Sequence, residues 1–411
     1  MTEDDVVRVR KDFAFTEVVQ NNKPLAYLDS TATSQKPRVV VEKMNRYLER
    51  YAANVHRGVY KIAEEATREM EDAREKMARF LGARSSKEVI FTSGTTNAVN
   101  LVAYAWGLKG DLGPDDEIIV TVMEHHSNTV PWFFLREKLG VTIRFVDIDA
   151  NGMLDMSQFD KYLGRRTKLV AVTHCSNVLG TINPVAEIAK KAHAVGALCL
   201  VDGAQSAPHM PVDVQALGCD FYACSGHKMM GPTGIGVLWG RQEVLERMDP
   251  FMGGGEMIRE VHQSGARWND LPYKFEAGTP NIVGAIGLGA AVDYLSGLDL
   301  DRVRAHEIAI TGYALERLST VKGLKIFGPP SPKDRGGVVA FTMDAAHPHD
   351  IASILDDEQA VCVRAGHHCC QPLMDRLGVP ATARASFYVY TLREEVDRLV
   401  DALDSVNRTF L

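Results

Sequence analysis

The chain has 411 residues, 45% of them hydrophobic and 24% charged, with a formal net charge of −7. That length has room for two or more domains around a large core, and the acidic balance excludes a general nucleic-acid binder, whose footprint is basic. The longest apolar stretch, Ile282 to Leu295, is broken by Asp293 and predicts a buried helix rather than a membrane span.

The first residues, MTEDDVVRVRKDFAF, contain no apolar signal core. Seven cysteines without a framework spacing point to a reducing, cytoplasmic setting. Strands are predicted at Glu88–Thr92, Glu117–Val122, Thr142–Val146, Leu169–Thr173, Ala197–Val201, Phe221–Ser225 and Gly236–Trp239. Most are short and apolar, and helical stretches such as Pro184–Val195 separate several of them. This is the pattern of a mainly parallel sheet covered on both faces. After Gly278-Thr279-Pro280 the pattern changes. Helices at Val283–Ser296 and Asp301–Ser319 lead to strands at Val338–Thr342 and Val361–Arg364, and a helix at Glu394–Thr409 closes the chain. The expected architecture is α/β: a large domain over residues 22–290, and a smaller α+β domain formed by 1–21 and 291–411.

In parallel sheets ligands sit at the carboxyl ends of strands, so the residues following each strand are the candidates. Ser93-Gly94-Thr95-Thr96 opens a helical run from Asn97 to Trp106 and reads either as an anion cradle or as a plain N-cap. His125 and His126 follow the next strand, where a histidine stacks on a ring, shuttles a proton or merely packs. Asp202 ends a buried strand and needs a partner, either a cationic heterocycle nitrogen or a turn to cap. Lys228, in Ser225-Gly226-His227-Lys228 before a Gly-Pro-Thr-Gly turn, is placed as a desolvated amine able to form a Schiff base. A fifth segment runs from Arg364 through Gly366-His367-His368-Cys369-Cys370. Cationic neighbours activate a thiol, although such a run also suits a metal site or a turn. Consecutive side chains diverge and there is no Cys-x-x-Cys, which disfavours one tetrahedral metal site. Jointly, the cradle, ring-facing His, Asp and Lys are the parts that pyridoxal phosphate requires.

Further segments sharpen this reading: Leu25-Ala26-Tyr27-Leu28-Asp29-Ser30, Asn54-Val55-His56-Arg57-Gly58, His174-Cys175-Ser176-Asn177-Val178-Leu179-Gly180, Phe275-Glu276-Ala277-Gly278-Thr279-Pro280-Asn281 and Arg384-Ala385-Ser386. With them the chain resembles, over nearly its whole length, the Suf-type (group II) cysteine desulfurases. These belong to the fold-type I, class V aminotransferase-like pyridoxal-phosphate enzymes. The resemblance implies that Lys228 holds the cofactor, Asp202 pairs with its ring nitrogen, and His125 stacks on the ring and assists proton transfer. It implies phosphate binding by Thr95, Thr96, Ser225 and His227, with Gln205 at the phenolic oxygen. Thr279 would reach the phosphate of a partner subunit, giving a homodimer. Asn177 and Arg384 would hold the substrate carboxylate with Arg364 nearby, and His56 is counted with the substrate residues. Cys369 would take the sulfur of L-cysteine as a persulfide, releasing L-alanine. A SufE-like or SufU-like acceptor would then pass the sulfur to iron–sulfur cluster assembly. Selenocysteine lyase is the alternative on the same scaffold. Ser93, Asn97 and Cys370 depart from the family pattern, and the role of Cys370 is left open.

Overall fold

The computed structural model describes residues 1–109 and 112–410. Seven strands form the large sheet: β1 (Val89–Thr92), β2 (Glu117–Thr121), β3 (Thr142–Val146), β4 (Thr167–Thr173), β5 (Leu198–Asp202), β6 (Phe221–Ser225) and β7 (Gly236–Gly240). Their spatial order is β1-β7-β6-β5-β4-β2-β3. The pairs β6/β5, β5/β4, β4/β2 and β2/β3 are parallel, and β7 runs antiparallel to both of its neighbours. The reason lies in the connection. Only the short turn of residues 226–235 joins β6 to β7, and a parallel return needs a crossover of a dozen residues or more. All seven predicted strands are present, with ends displaced by no more than two residues.

Burial explains why the strands read as continuous apolar runs. Every residue of β1, β2, β6 and β7 is buried. Alternate residues serve opposite layers: Val89, Phe91, Ile119 and Val201 pack in one core, and Ile90, Ile118, Val120 and Leu200 in the other. This is the period-two geometry of a pleated strand. The apolar stretch at 282–295 is the buried helix Ile282–Leu298. At Gly289 an added Cβ would come within 2.7 Å of the Ala73 Cβ, so glycine permits close approach of the helix Lys61–Leu81. Among the described residues no single helix is long and apolar enough to cross a membrane.

A second, antiparallel sheet of four strands contains β8 (Leu324–Phe327), β9 (Val338–Met343), β10 (Arg364–Gly366) and β11 (Thr382–Ser386), in the order β8-β9-β11-β10. Here the structure corrects the expectation of one strand at Val361–Arg364. Val361–Cys362 pairs in parallel with Ala26–Tyr27, whereas β10 belongs to the four-stranded sheet. The chain changes partner at Val363 because the N-terminal segment from Ala26 lies alongside. β8 and β11 escaped the sequence reading. β11, Thr-Ala-Arg-Ala-Ser, has no large apolar residue, yet all five positions are buried, with Ala383 and Ala385 facing a third core.

Candidate active site

Because β1, β2, β4, β5 and β6 point the same way, their carboxyl ends open onto one edge of the sheet. A cleft there is lined by Thr95 and Thr96 after β1, His125 and Ser127 after β2, and Thr173 and Asn177 at the end of β4. Asp202 and Gln205 come from β5, and Ser225, His227 and Lys228 from β6. The four-stranded sheet closes the cleft with Arg364 from β10, Arg384 from β11, and His368 and Cys369 from the turn after β10. Residues as far apart in the chain as Thr31 and Arg384 thus share one cavity.

The cradle forms where the helix Thr95–Ala105 meets β6. Gly94, at φ 148°, precedes the helix. Thr95 donates its N–H to Ser225 Oγ at 2.8 Å, and the two hydroxyls lie 2.7 Å apart. Thr96 Oγ1 lies 2.6 Å from Ser127 Oγ. The helix therefore brings its positive end to a group of hydroxyls, an anion-binding arrangement. Ser127 continues the relay, since its N–H donates to His125 Nδ1 at 3.1 Å and its hydroxyl lies 3.0 Å from the same nitrogen. With Nδ1 accepting, the imidazole proton sits on Nε2. Burial, reinforced by the Lys228 charge, lowers the His125 pKa to about 3, so the ring is neutral.

Lys228 follows β6 on a 3-10 turn. Burial drops its pKa to about 8, against an opposing pull from the Asp202 charge. Among the described residues no hydrogen bond or ion pair engages its Nζ. Asp202 is buried, and burial raises its pKa; Oδ1 accepts the Ala204 N–H at 2.9 Å and its second oxygen makes no bond. Arg384 donates to the Asn177 carbonyl at 2.9 Å and to Asp29 at 3.2 Å, leaving its buried Nε without a partner. The cleft thus gathers an unpaired amine, a half-satisfied carboxylate, an orphaned guanidinium N–H and an anion cradle. This donor set fits pyridoxal phosphate, whose aldehyde, ring nitrogen and phosphate need those groups.

The thiol turn is built tightly. His368 and Cys369 both adopt left-handed φ values, 52° and 55°. Non-glycine residues there cost on the order of 1–2 kcal/mol each and persist only where surroundings over-determine them. Asn177 Nδ2 donates to the His368 carbonyl at 2.8 Å, and the His368 ring lies 2.8 Å from Thr382 Oγ1. Burial lowers the His368 pKa to about 3. One expectation is therefore corrected: His368 supplies no positive charge to the thiol, because a buried imidazole beside Arg384 stays neutral. The cationic side chains that share the cleft with Cys369 are Lys228, Arg364 and Arg384. The neighbouring Cys370 is turned away. It is fully buried in the large-domain core with Sγ 3.7 Å from the Val122 carbonyl, and burial pushes its thiol up.

Two sequence-derived candidates lie outside the cleft. Thr279 is exposed in the turn before the helix Ile282–Leu298. His56, itself at φ 68°, has Nε2 3.0 Å from Glu71 and its ring 5.0 Å from that of Tyr273. Gln205 lines the cleft while its Nε2 donates to the Thr31 carbonyl at 2.8 Å. The sequence reading passed over Thr31, Thr173 and Ser127. Only Ser127 left a signal, a hydroxyl two residues after a strand-end histidine.

The sheet order, the strand-end lysine and the smaller closing sheet define a fold-type I architecture. The chain belongs to the class-V aminotransferase family, whose pattern matches residues 26–399. Within that family it is 51% identical over 98% of its length to a probable cysteine desulfurase of Halalkalibacterium halodurans, covering 98% of that protein. It is 50% identical to a cysteine desulfurase of Haloferax volcanii, with 94% of this chain and 90% of that one matched. Among solved structures, the apo cysteine desulfurase of Thermococcus onnurineus NA1 superposes with a TM-score of 0.93 at 42% identity over 98% of both chains. The cysteine desulfurase CsdA of Escherichia coli, in an S-sulfonic acid form, gives 0.90 at 38% identity over 99% of both.

Proposed function

We propose that the protein is a pyridoxal-phosphate-dependent cysteine desulfurase that converts L-cysteine to L-alanine and takes up the sulfur on Cys369. The observation that carries this reading is that Lys228, Arg384 and Cys369 line a single cleft. An aminotransferase needs the first two and has no use for the third.

Pyridoxal phosphate bound in the cleft supplies an aldehyde for the substrate amino group and an electron sink for the Cα carbanion. Lys228 anchors the cofactor and, once released, carries the Cα proton. Its amine is suited to this because burial has already brought its pKa to about 8. Asp202 holds the proton on the ring nitrogen, and the hydroxyls of Thr95, Thr96 and Ser225 with His227 bind the phosphate. The Arg384 fork takes the substrate carboxylate bidentately, with Arg364 beside it; both reach Asp29, at 3.2 and 3.8 Å respectively. Asn177 ties the thiol turn to Arg384, donating to the His368 carbonyl and accepting from the Arg384 guanidinium. The Cys369 thiolate attacks the substrate sulfur, the Cβ–S bond breaks, and its electron pair returns to carbon. Cys369 is left as the persulfide, and neutral His125 passes the proton given up by the Cys369 thiol to Cβ, which becomes the methyl group of alanine.

The chain acts as a homodimer in which Thr279 and His56 serve the partner's cleft, which accounts for their distance from their own. The large sheet with residues 22–290 forms one domain, and 1–21 with 291–411 the other. Sulfur passes from Cys369 to a dedicated acceptor protein in the cytoplasm, for iron–sulfur cluster assembly. In the decisive experiment, purified protein is yellow, loses that colour on borohydride reduction at Lys228, and forms alanine from cysteine. A preparation that stays colourless with added cofactor and forms no alanine overturns the reading.

A further inference from the structure

We infer that His126 is the positioning residue that holds the Cys369 turn in its reactive shape, a step that rests on the sulfur transfer proposed above. His126 does not line the cleft. It sits one residue beyond His125, and two hydrogen bonds tie it to a segment 245 positions further along the chain. Its backbone N–H donates to the Cys369 carbonyl at 2.7 Å. Its Nε2 accepts the Gln371 N–H at 3.1 Å. The clamp therefore grips the turn on both sides of Cys370, with one donor and one acceptor.

The turn needs such a clamp. Two successive non-glycine residues, His368 and Cys369, lie in the left-handed region, a conformation that surroundings must enforce. The rest of its backbone is engaged piece by piece. The Cys369 N–H donates to His367 Nδ1 at 3.2 Å, the Cys370 N–H to the His367 carbonyl at 2.9 Å, and the His368 carbonyl accepts from Asn177. The His126 and His367 rings stand 5.8 Å apart, closing the outer side. Accepting through Nε2 requires a neutral His126 ring protonated at Nδ1. The dipeptide His125-His126 thus spaces the ring-facing imidazole against the thiol: one residue lines the cofactor cleft and the other grips the loop that delivers sulfur chemistry to it. Losing the grip displaces the thiol without touching the residues that bind substrate.

The test compares His126→Ala with His126→Gln in the holoenzyme. The glutamine side chain places its carboxamide oxygen near the site of Nε2 and keeps the acceptor. For the alanine variant, kcat falls about 10²-fold, the scale of a displacement near 1 Å at a reacting group. KM for cysteine stays within about twofold, because substrate anchoring and the thiol step are separate contributions. Exchange of the L-alanine Cα proton into deuterated water, which needs no thiol, is unchanged. Mass spectrometry after iodoacetamide treatment finds label on Cys370 as well as Cys369. The glutamine variant recovers most of kcat and restores the pattern in which Cys369 is labelled and Cys370 is not. Wild-type turnover and labelling in the alanine variant, or a glutamine variant no better than alanine, overturns the inference. A parallel loss of proton exchange also overturns it, since His126 would then act on the cofactor site. Wild-type protein that forms no alanine refutes the desulfurase reading instead, and the labelling pattern still decides the role of His126 in the turn.

Discussion

Two adjacent cysteines show how far a side chain's surroundings set its chemistry. Cys369 lines the cleft, while Cys370 is a core residue whose thiol is raised by burial. Cys369→Ser is expected to abolish alanine formation. Cys370→Ala is expected to keep turnover while lowering stability by about 1 kcal/mol, the scale for deleting a small buried group. Steady-state assay and thermal melting check both, and a Cys370 variant that loses turnover with its melting temperature intact contradicts the assignment. A second expectation concerns pH. In cofactor-free enzyme, burial favours the neutral Lys228 amine, moving its pKa down from 10.5 to about 8. Reactivity toward amine reagents should therefore rise as pH increases through 8 rather than beyond 10. Labelling of Lys228 that follows an ordinary lysine profile would contradict its desolvation. At this scale the sequence displayed the cleft residues of the large sheet, such as Thr95, His125, Asp202 and Lys228, because they stand at or just beyond strand ends. It could not display His126 as a clamp, since a hydrogen bond across 245 positions leaves no local pattern.

The antiparallel strand β7 matters to the site through its first residue. A Cβ added at Gly236 would stand 2.6 Å from both the Gly94 Cα and the Cys224 carbonyl oxygen. These are backbone atoms, which yield less easily than side chains. Gly236→Ala is expected to destabilise the fold by about 1–3 kcal/mol, as overpacking does, and to weaken cofactor binding by spreading the cradle from β6. Melting temperature and cofactor titration measure the two effects, and unchanged values for both would refute the contact. Most large-sheet strands were legible because burial on both faces makes them largely apolar. β11 was not legible. Its small residues pack only because β9 and β10 flank it, so Arg384 emerged from the resemblance and not from its own strand.

The cleft is completed by elements from both sheets, and Arg384 makes the link by donating to the Asn177 carbonyl while paired with Asp29. Arg384→Lys keeps the charge and loses the fork. An expected loss of about 2–3 kcal/mol, typical of hydrogen bonds to charged groups, lowers kcat/KM roughly 10²-fold, mainly through KM. A change confined to kcat would remove Arg384 from carboxylate binding. Thr279 and His56 belong to a larger scale still. If they serve a partner's cleft, the solution mass corresponds to two chains, and Thr279→Ala raises the cofactor dissociation constant several-fold, about 1 kcal/mol for one hydrogen bond. A monomer with full cofactor affinity defeats that proposal. By itself the sequence determined the sheet, the strand-end residues and the chemistry they could perform, because strand burial and short motifs are local properties written in residue type and spacing. Only the tertiary structure decided that Cys370 is a core residue, that His368 is neutral, that the segment from Val361 divides between two sheets, and that His126 grips the thiol turn. Those outcomes depend on burial and hydrogen bonding between segments hundreds of residues apart, which no stretch of sequence encodes alone.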